Sequence, residues 1–272
     1  MKPIVSVLLP AYNAENYISI AIESILKQTY TQFELIIIDD FSTDKTASII
    51  KEFKKKDKRI VFFQNKKNLK LSKTLNKGIE MAKGKYIARM DADDWSFPKR
   101  LEKQVDFLEK NAEIGIVGGS MQIMDENGKV YSKRTYALND YEIRKKIYLY
   151  SPFSHPTIMI RKSIIEKVGN YNSQFNPAED YELYFRIGEL SQFANLDCFL
   201  IKYRVVVNSM TTGSMKNMER KTIEVRQKYF KNPLYKPSLL DLSYTYTEML
   251  FLHLVPDFIK MQLFSRWRDI KI

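Results

Sequence analysis

The sequence predicts an α/β fold, a mostly parallel sheet flanked by helices, followed by a C-terminal helical extension. Three observations predict it. Short apolar, β-branched runs alternate with segments of helical spacing from residue 4 to about residue 109. Carboxylates or turn residues stand where those runs stop. From Lys216 onward the chain again reads as helical, less regularly.

Each element has its own reason. Residues 4–9 and 34–38 are strand-like runs, and residues 17–26 and 46–53 show helical spacing. Residues 60–63 read as strand, 71–82 as helix ending at Gly84, and 86–90 as strand. Pro98 is expected to open a helix running to about residue 109, since its missing amide hydrogen has no partner to lose there. Beyond Ile116-Val117 the character changes: Asp125-Glu126-Asn127-Gly128 is a hairpin-type turn, 141–150 a helix, 155–160 a strand and 179–190 a helix. A soft boundary near 208–215 divides the chain into residues 1–210 and 211–272.

The 272 residues are 44% hydrophobic, enough for a substantial core. A net charge of +12 favours anionic partners: nucleotide diphosphates, anionic lipid surfaces or nucleic acid. The single cysteine, Cys198, excludes an intramolecular disulfide and a Cys-rich zinc site, and points to a reducing, cytoplasmic compartment. Lys2 before the apolar residues 4–9 faintly imitates a secretory leader, but the run is short and passes straight into Pro10-Ala11-Tyr12-Asn13. No stretch is long and apolar enough to span a bilayer, so any membrane contact is expected to be peripheral.

In a parallel sheet, ligands gather beyond the carboxyl ends of the strands, where Tyr12, Asp39, Asp40, Asp91 and Asp93 fall. The sharpest signal is Asp91-Ala92-Asp93-Asp94, directly after a strand. In an extended backbone residues two apart share a side, so Asp91 and Asp93 are expected to aim at one divalent cation or one sugar ring. The run lacks the glycine and distal glutamate of an EF-hand. No GxGxxG turn supports dinucleotide-dependent oxidation, and no glycine-rich, lysine-bearing loop supports nucleotidyl transfer. The basic run 51–59 reads as a solvated helix end rather than a nucleic-acid site.

Four segments, PAYNAENYISIAIESILKQTYTQFELIIIDDFSTDKT, GKYIARMDADDWSFPKRLEKQ, HPTIMIRKS and AEDYELYFR, resemble in order and spacing the GT-A-fold inverting glycosyltransferases of family two. The resemblance spans residues 2–210 and implies a Rossmann-like sheet with a nucleotide-sugar donor, UDP-linked above all. It implies Mn²⁺ or Mg²⁺ as cofactor and a glycan or lipid-linked acceptor, with no nucleic acid. By that resemblance Pro10, Ala11 and Tyr12 shape the nucleoside pocket, Asp40 accepts a base N–H, Asp39 braces the loop and Lys73 turns toward the nucleotide. Asp93 ligates the metal with Asp91, which also addresses the sugar or ribose, while Ala92 lies against the nucleotide by its backbone. Asp180 is the expected general base, with Glu179, His155 and Trp95 on the acceptor side.

Two departures stand out. Tyr203-Arg204 is followed by Val205-Val206-Val207, where the family often carries a histidine for the metal or diphosphate; Arg204, Asn208 or Ser209 are the available substitutes. Lys70 stands where a glycine is common, so the loop there is expected to take another path. In the tail, Ile259, Leu263, Trp267 and Ile270 form a helical stripe beside Lys260, Arg266, Arg268 and Lys271, a pattern that can rest at the inner face of an anionic membrane or pack on its own domain.

Overall fold

The computed structural model describes residues 2–206 and 215–254. The soft boundary near 208–215 falls almost entirely between these spans, and Asn208, Ser209 and the tail stripe lie outside the described residues. The first half runs β1 (Val5–Ala11), α1 (Ile18–Leu26), β2 (Phe33–Asp39), α2 (Thr46–Lys56), β3 (Ile60–Gln64), α3 (Leu71–Met81), β4 (Tyr86–Arg89), β5 (Trp95–Ser96) and α4 (Arg100–Lys110). The second runs β6 (Ile114–Met124), β7 (Val130–Arg134), α5 (Asp140–Lys146), β8 (Met159–Arg161), α6 (Lys162–Val168), α7 (Glu179–Leu190), β9 (Gln192–Arg204), α8 (Met215–Tyr229) and α9 (Leu239–Leu254).

The strands form one sheet in the order β3-β2-β1-β4-β8-β6-β9-β5, with β7 hydrogen-bonded to β6. The expected parallel order holds across β3, β2, β1 and β4. Beyond β4 the sheet is mixed: β8 runs antiparallel to both β4 and β6, and β9 pairs parallel with β6. The β6–β7 hairpin closes at the expected turn, where Asp125 Oδ1 accepts the Asn127 and Lys129 amides and Gly128 takes φ +86°.

Successive side chains of β1 and β2 enter two cores, which is why those strands read as continuous apolar runs. Val7, Leu9, Leu35 and Ile37 pack with Ile18, Ile22 and Ile50 from α1 and α2 on one face. Leu8, Ile36 and Ile38 pack with Leu75 and Ile79 from α3, and Leu183 and Ile187 of α7 join that same core. At Gly84, before β4, a Cβ would lie 2.6 Å from the Ser6 amide nitrogen, so only glycine lets the two backbones approach this closely.

Two local readings are corrected. Pro98 does not open α4, which starts at Arg100; the Pro98 carbonyl instead accepts the Thr29 amide. Residues 155–160 are not one strand: His155–Thr157 form a 3-10 turn, and β8 begins only at Met159. Proline at the second position of that turn and the Thr157 hydroxyl bonded to the Ser154 carbonyl favour the turn locally.

Candidate active site

The ends of β1, β2 and β3 are level, with Ala11 opposite Asp39 and Asp39 opposite Gln64. The two loops that follow β1 and β2 are laced together. The Asn13 amide donates to Ser42 Oγ, and the Thr43 amide donates to Asn13 Oδ1. Asn13 and Phe41 take φ +48° and +66°, tolerable for asparagine and rare for phenylalanine. The lacing leaves two rings outward, Tyr12 47% exposed and Phe41 48% exposed, while Ala11 is buried. Tyr12 is thus available for stacking, and Phe41, which no sequence signal singled out, stands at the adjacent strand end.

Asp40 is buried and its carboxylate is already engaged. Oδ1 accepts Asn65 Nδ2 at 2.7 Å and the Leu69 amide at 2.8 Å, and Oδ2 accepts the Lys70 amide at 2.9 Å. Asp39 Oδ2 accepts Gln64 Nε2 and the Ser42 amide, so both aspartates brace loops. Lys70 sits at φ 68°, ψ 168°, a conformation almost confined to glycine, held there by the Asp40 bond. Lys73 is exposed on α3, whereas Lys77, one helical turn further, donates to Asn65 Oδ1 and lies 3.8 Å above the Phe63 ring. Lys77 is therefore the cation that reaches the Asp40 network.

At the end of β4 the chain turns rather than staying extended, so Asp91 and Asp93 do not share a side through strand geometry. Arg89, buried in β4, forks both guanidinium nitrogens onto the two oxygens of Asp91. Its Nε is buried with no hydrogen-bond partner. Burial, then the charge of Asp91, pushes the Asp93 carboxyl up to about 6. Asp94 is fully buried: Oδ1 accepts the Arg204 amide at 2.8 Å, Oδ2 has no partner, and burial holds its carboxyl well above the usual range. Arg204 donates from Nε to the Asp93 carbonyl and from a terminal nitrogen to the Asp125 and Glu126 carbonyls, and its guanidinium lies 4.5 Å over Tyr17. It clamps the backbone of the acidic turn, which occupies the group named above as a substitute for the missing histidine.

The second acidic group opens α7. Glu179 is 2% exposed with Oε2 unpartnered, and burial, then Asp180, pushes it up to about 7. Asp180 accepts the Tyr181 amide at Oδ1; burial raises its carboxyl, and the Arg89 charge opposes that rise. His155 lies with Nδ1 3.9 Å from Asp180 Oδ2 and Nε2 2.8 Å from the Tyr171 hydroxyl. Burial, then Arg89, lowers the His155 pKa well below the ordinary value, so its ring is neutral and the contact is not an ion pair. The structure thus brings His155 beside Asp180. Trp95 lies in β5, directly after Asp94, with Lys202 Nζ 4.7 Å over its ring and Phe97 edge-on at 4.9 Å.

Residues 6–169 match the family model described as glycosyl transferase family 2. The chain belongs to that family. It is 35% identical to an uncharacterized glycosyltransferase of Methanocaldococcus jannaschii over 95% of this chain and 91% of the relative. It is 34% identical to the O-antigen biosynthesis glycosyltransferase WbnJ of Escherichia coli over 82% of this chain and 88% of that protein. Staphylococcus aureus TarS residues 1–349, solved with UDP-GlcNAc, shares the fold at TM-score 0.67 and 19% identity over 92% of this chain and 72% of that one; the chain spans 43% of the longer TarS structure. A mannosyltransferase of Pyrobaculum calidifontis, solved with GDP-Man and Mn²⁺, does so at TM-score 0.65 and 15% identity over 94% of this chain and 71% of that one. The GT-A fold and the standing of this chain as a glycosyltransferase enzyme follow.

Among the described residues no three histidine, cysteine, aspartate or glutamate side chains converge to hold a metal ion. That does not disqualify the glycosyltransferase turn, because Mg²⁺-like ions take one or two carboxylates and complete their shell with phosphates and water. Asp93 fits that requirement. Its carboxyl, raised by burial and the Asp91 charge, and the orphaned oxygen of Asp94 leave acceptor capacity unused at this turn.

Proposed function

We propose that this glycosyltransferase moves a sugar, with inversion, from a UDP-sugar to a hydroxyl of a glycan or lipid-linked acceptor in surface polysaccharide or glycoconjugate synthesis, at the cytoplasmic face of the membrane. One observation carries the reading: Asp180 and neutral His155 stand together, with the Arg89 guanidinium acting electrostatically on both them and the acidic turn. The O-antigen enzyme and the UDP-GlcNAc complex among the similar proteins support the substrate class, and the Mn²⁺ complex supports the cofactor.

Asp93 would hold Mn²⁺ or Mg²⁺ together with the donor diphosphate, and that cation would supply Lewis-acid stabilisation of the leaving group. Asp91, forked by Arg89, stays fixed toward the sugar. Exposed Tyr12 and Phe41 offer apolar faces to the base, beside Pro10 and Ala11. Ala92 lies against the nucleotide by its backbone, Lys73 and Lys77 add positive charge on α3, and Glu179 and Trp95 flank the acceptor. Asp180 takes the acceptor proton as the hydroxyl attacks the anomeric carbon and the nucleoside diphosphate departs, and neutral His155 beside it leaves the carboxylate charge uncompensated.

The test is incubation with UDP-sugars and Mn²⁺, with NMR of the product. The expected outcome is release of the nucleoside diphosphate, an inverted anomeric centre and a loss of about 10²-fold in kcat for Asp180→Asn with donor affinity within a few-fold. Retained configuration, or release of nucleoside monophosphate, would overturn the reading.

A further inference from the structure

The C-terminal helix α9 is built inside out. Its buried positions are Asp241, Thr245 and Leu252, spaced four and seven apart, with Leu242, Tyr244 and Glu248 half-buried beside them, so two of the three buried side chains are polar. Asp241 accepts the Ser238 amide and hydroxyl, and Glu248 pairs with Arg226 of α8. The solvent side is mostly apolar, broken by exposed Ser243 and Thr247: Leu239 is 85% exposed, Leu240 79%, Leu250 61%, Tyr246 56% and Phe251 51%. Every exposed α9 position from Leu239 to Phe251 is uncharged. A water-facing helix of a globular protein shows the opposite polarity, and an apolar face of this kind marks an interaction surface.

We propose that the outward face of α9 docks onto an anionic lipid bilayer. Charge complementarity decides for that occupant: exposed Lys231 and Lys236 flank the exposed Leu234 in the turn leading into α9, and the chain carries +12 overall. No helix among the described residues is long and apolar enough to cross a membrane, so α9 lies on the surface rather than spanning it. The helix is also coupled to the acceptor side. Arg226 contacts both Glu248 and the Tyr181 hydroxyl, and Tyr229 of α8 stacks on Phe185 at 4.4 Å, so α9 is tied through α8 to α7, which begins with Glu179 and Asp180. The lipid-linked acceptor proposed above gives such a surface its purpose, and the docking rests on that reading to this extent.

The experiment is co-sedimentation of the full chain with phosphatidylcholine vesicles, with and without phosphatidylglycerol. It compares wild type with the triple variant Leu239→Ser, Leu250→Ser, Phe251→Ser, which leaves net charge unchanged. Wild type is expected to prefer the anionic vesicles, and the triple variant to bind them about tenfold more weakly or less, at an unchanged thermal midpoint. Lys231→Gln with Lys236→Gln is expected to weaken only the salt-sensitive part. Absence of wild-type binding, or equal binding by the triple variant, overturns the proposal. So does a dimer in sedimentation equilibrium that the triple variant dissociates, which would make the face a contact between copies. Nucleoside diphosphate release is measured without vesicles, so failure of docking and failure of sugar transfer are separable.

Discussion

Two acidic groups at strand ends of the same sheet are treated in opposite ways. The pair after β2 is spent mostly on the protein: Asp40 accepts three hydrogen bonds and Asp39 two, both at Oδ2, while Asp39 Oδ1 is buried without a partner. The run after β4 holds charge in reserve. Asp93 is half-buried and Asp94 buried, both with raised carboxyls, Asp94 like Asp39 keeps an orphaned oxygen, and Glu179 and Asp180 add two more raised carboxyls. Identical residue types therefore build a rigid frame in one place and an electrostatic deficit in the other. A frame lowers the cost of ordering a ligand, and a deficit is relieved by a proton, a hydrogen-bond donor or a ligand that brings positive charge.

The largest effect should come from the reserve. Asp93→Ala is expected to lower turnover by about 10³-fold, and dialysis against EDTA to abolish wild-type turnover until Mn²⁺ is restored. Full turnover by either would place the β4 run with the β2 pair as mere scaffold. The frame should respond in stability instead. Asp40→Ala strands the Leu69 and Lys70 amides and the Asn65 side chain, and should cost about 3 kcal/mol in urea unfolding. A loss under about 1 kcal/mol would show that water replaces the carboxylate.

The contrast also has a pH signature. Glu179, ordinarily near 4.5, sits at about 7 in the fold, so the folded state holds its proton while the unfolded chain has released it. Stability is therefore fully present below pH 4.5 and falls by about 3 kcal/mol as pH rises through 7. Glu179→Gln should flatten that fall in denaturant melts at the two ends of the window. A parallel pH profile for variant and wild type would remove Glu179 from the reserve. The smallest effect concerns the frame: Lys70→Gly should relieve the backbone at φ 68° and stabilise the protein by about 1 kcal/mol, read as a higher thermal midpoint. A lower midpoint would show that Lys70 side-chain contacts outweigh the strain.

Much of this was legible in the chain. The period of the apolar runs determined β1 to β4 and their helices, because a strand buried on both faces must be apolar throughout and a helix only along one stripe. The motifs at 10–12, 39–40, 91–94, 155–157 and 179–180 marked strand and helix ends, where the proposed site residues lie. Sequence also determined that a lysine occupies position 70, but not that Asp40 would hold it in a glycine-like conformation. Tertiary structure alone decided that Arg89 forks Asp91, that Lys77 rather than Lys73 reaches the Asp40 network, and that α9 turns Asp241 inward and Leu239, Leu240 and Leu250 out. The reason is common to all three: such choices depend on which side chains meet across elements far apart in sequence, and on whether water is left between them, and neither is written in local spacing.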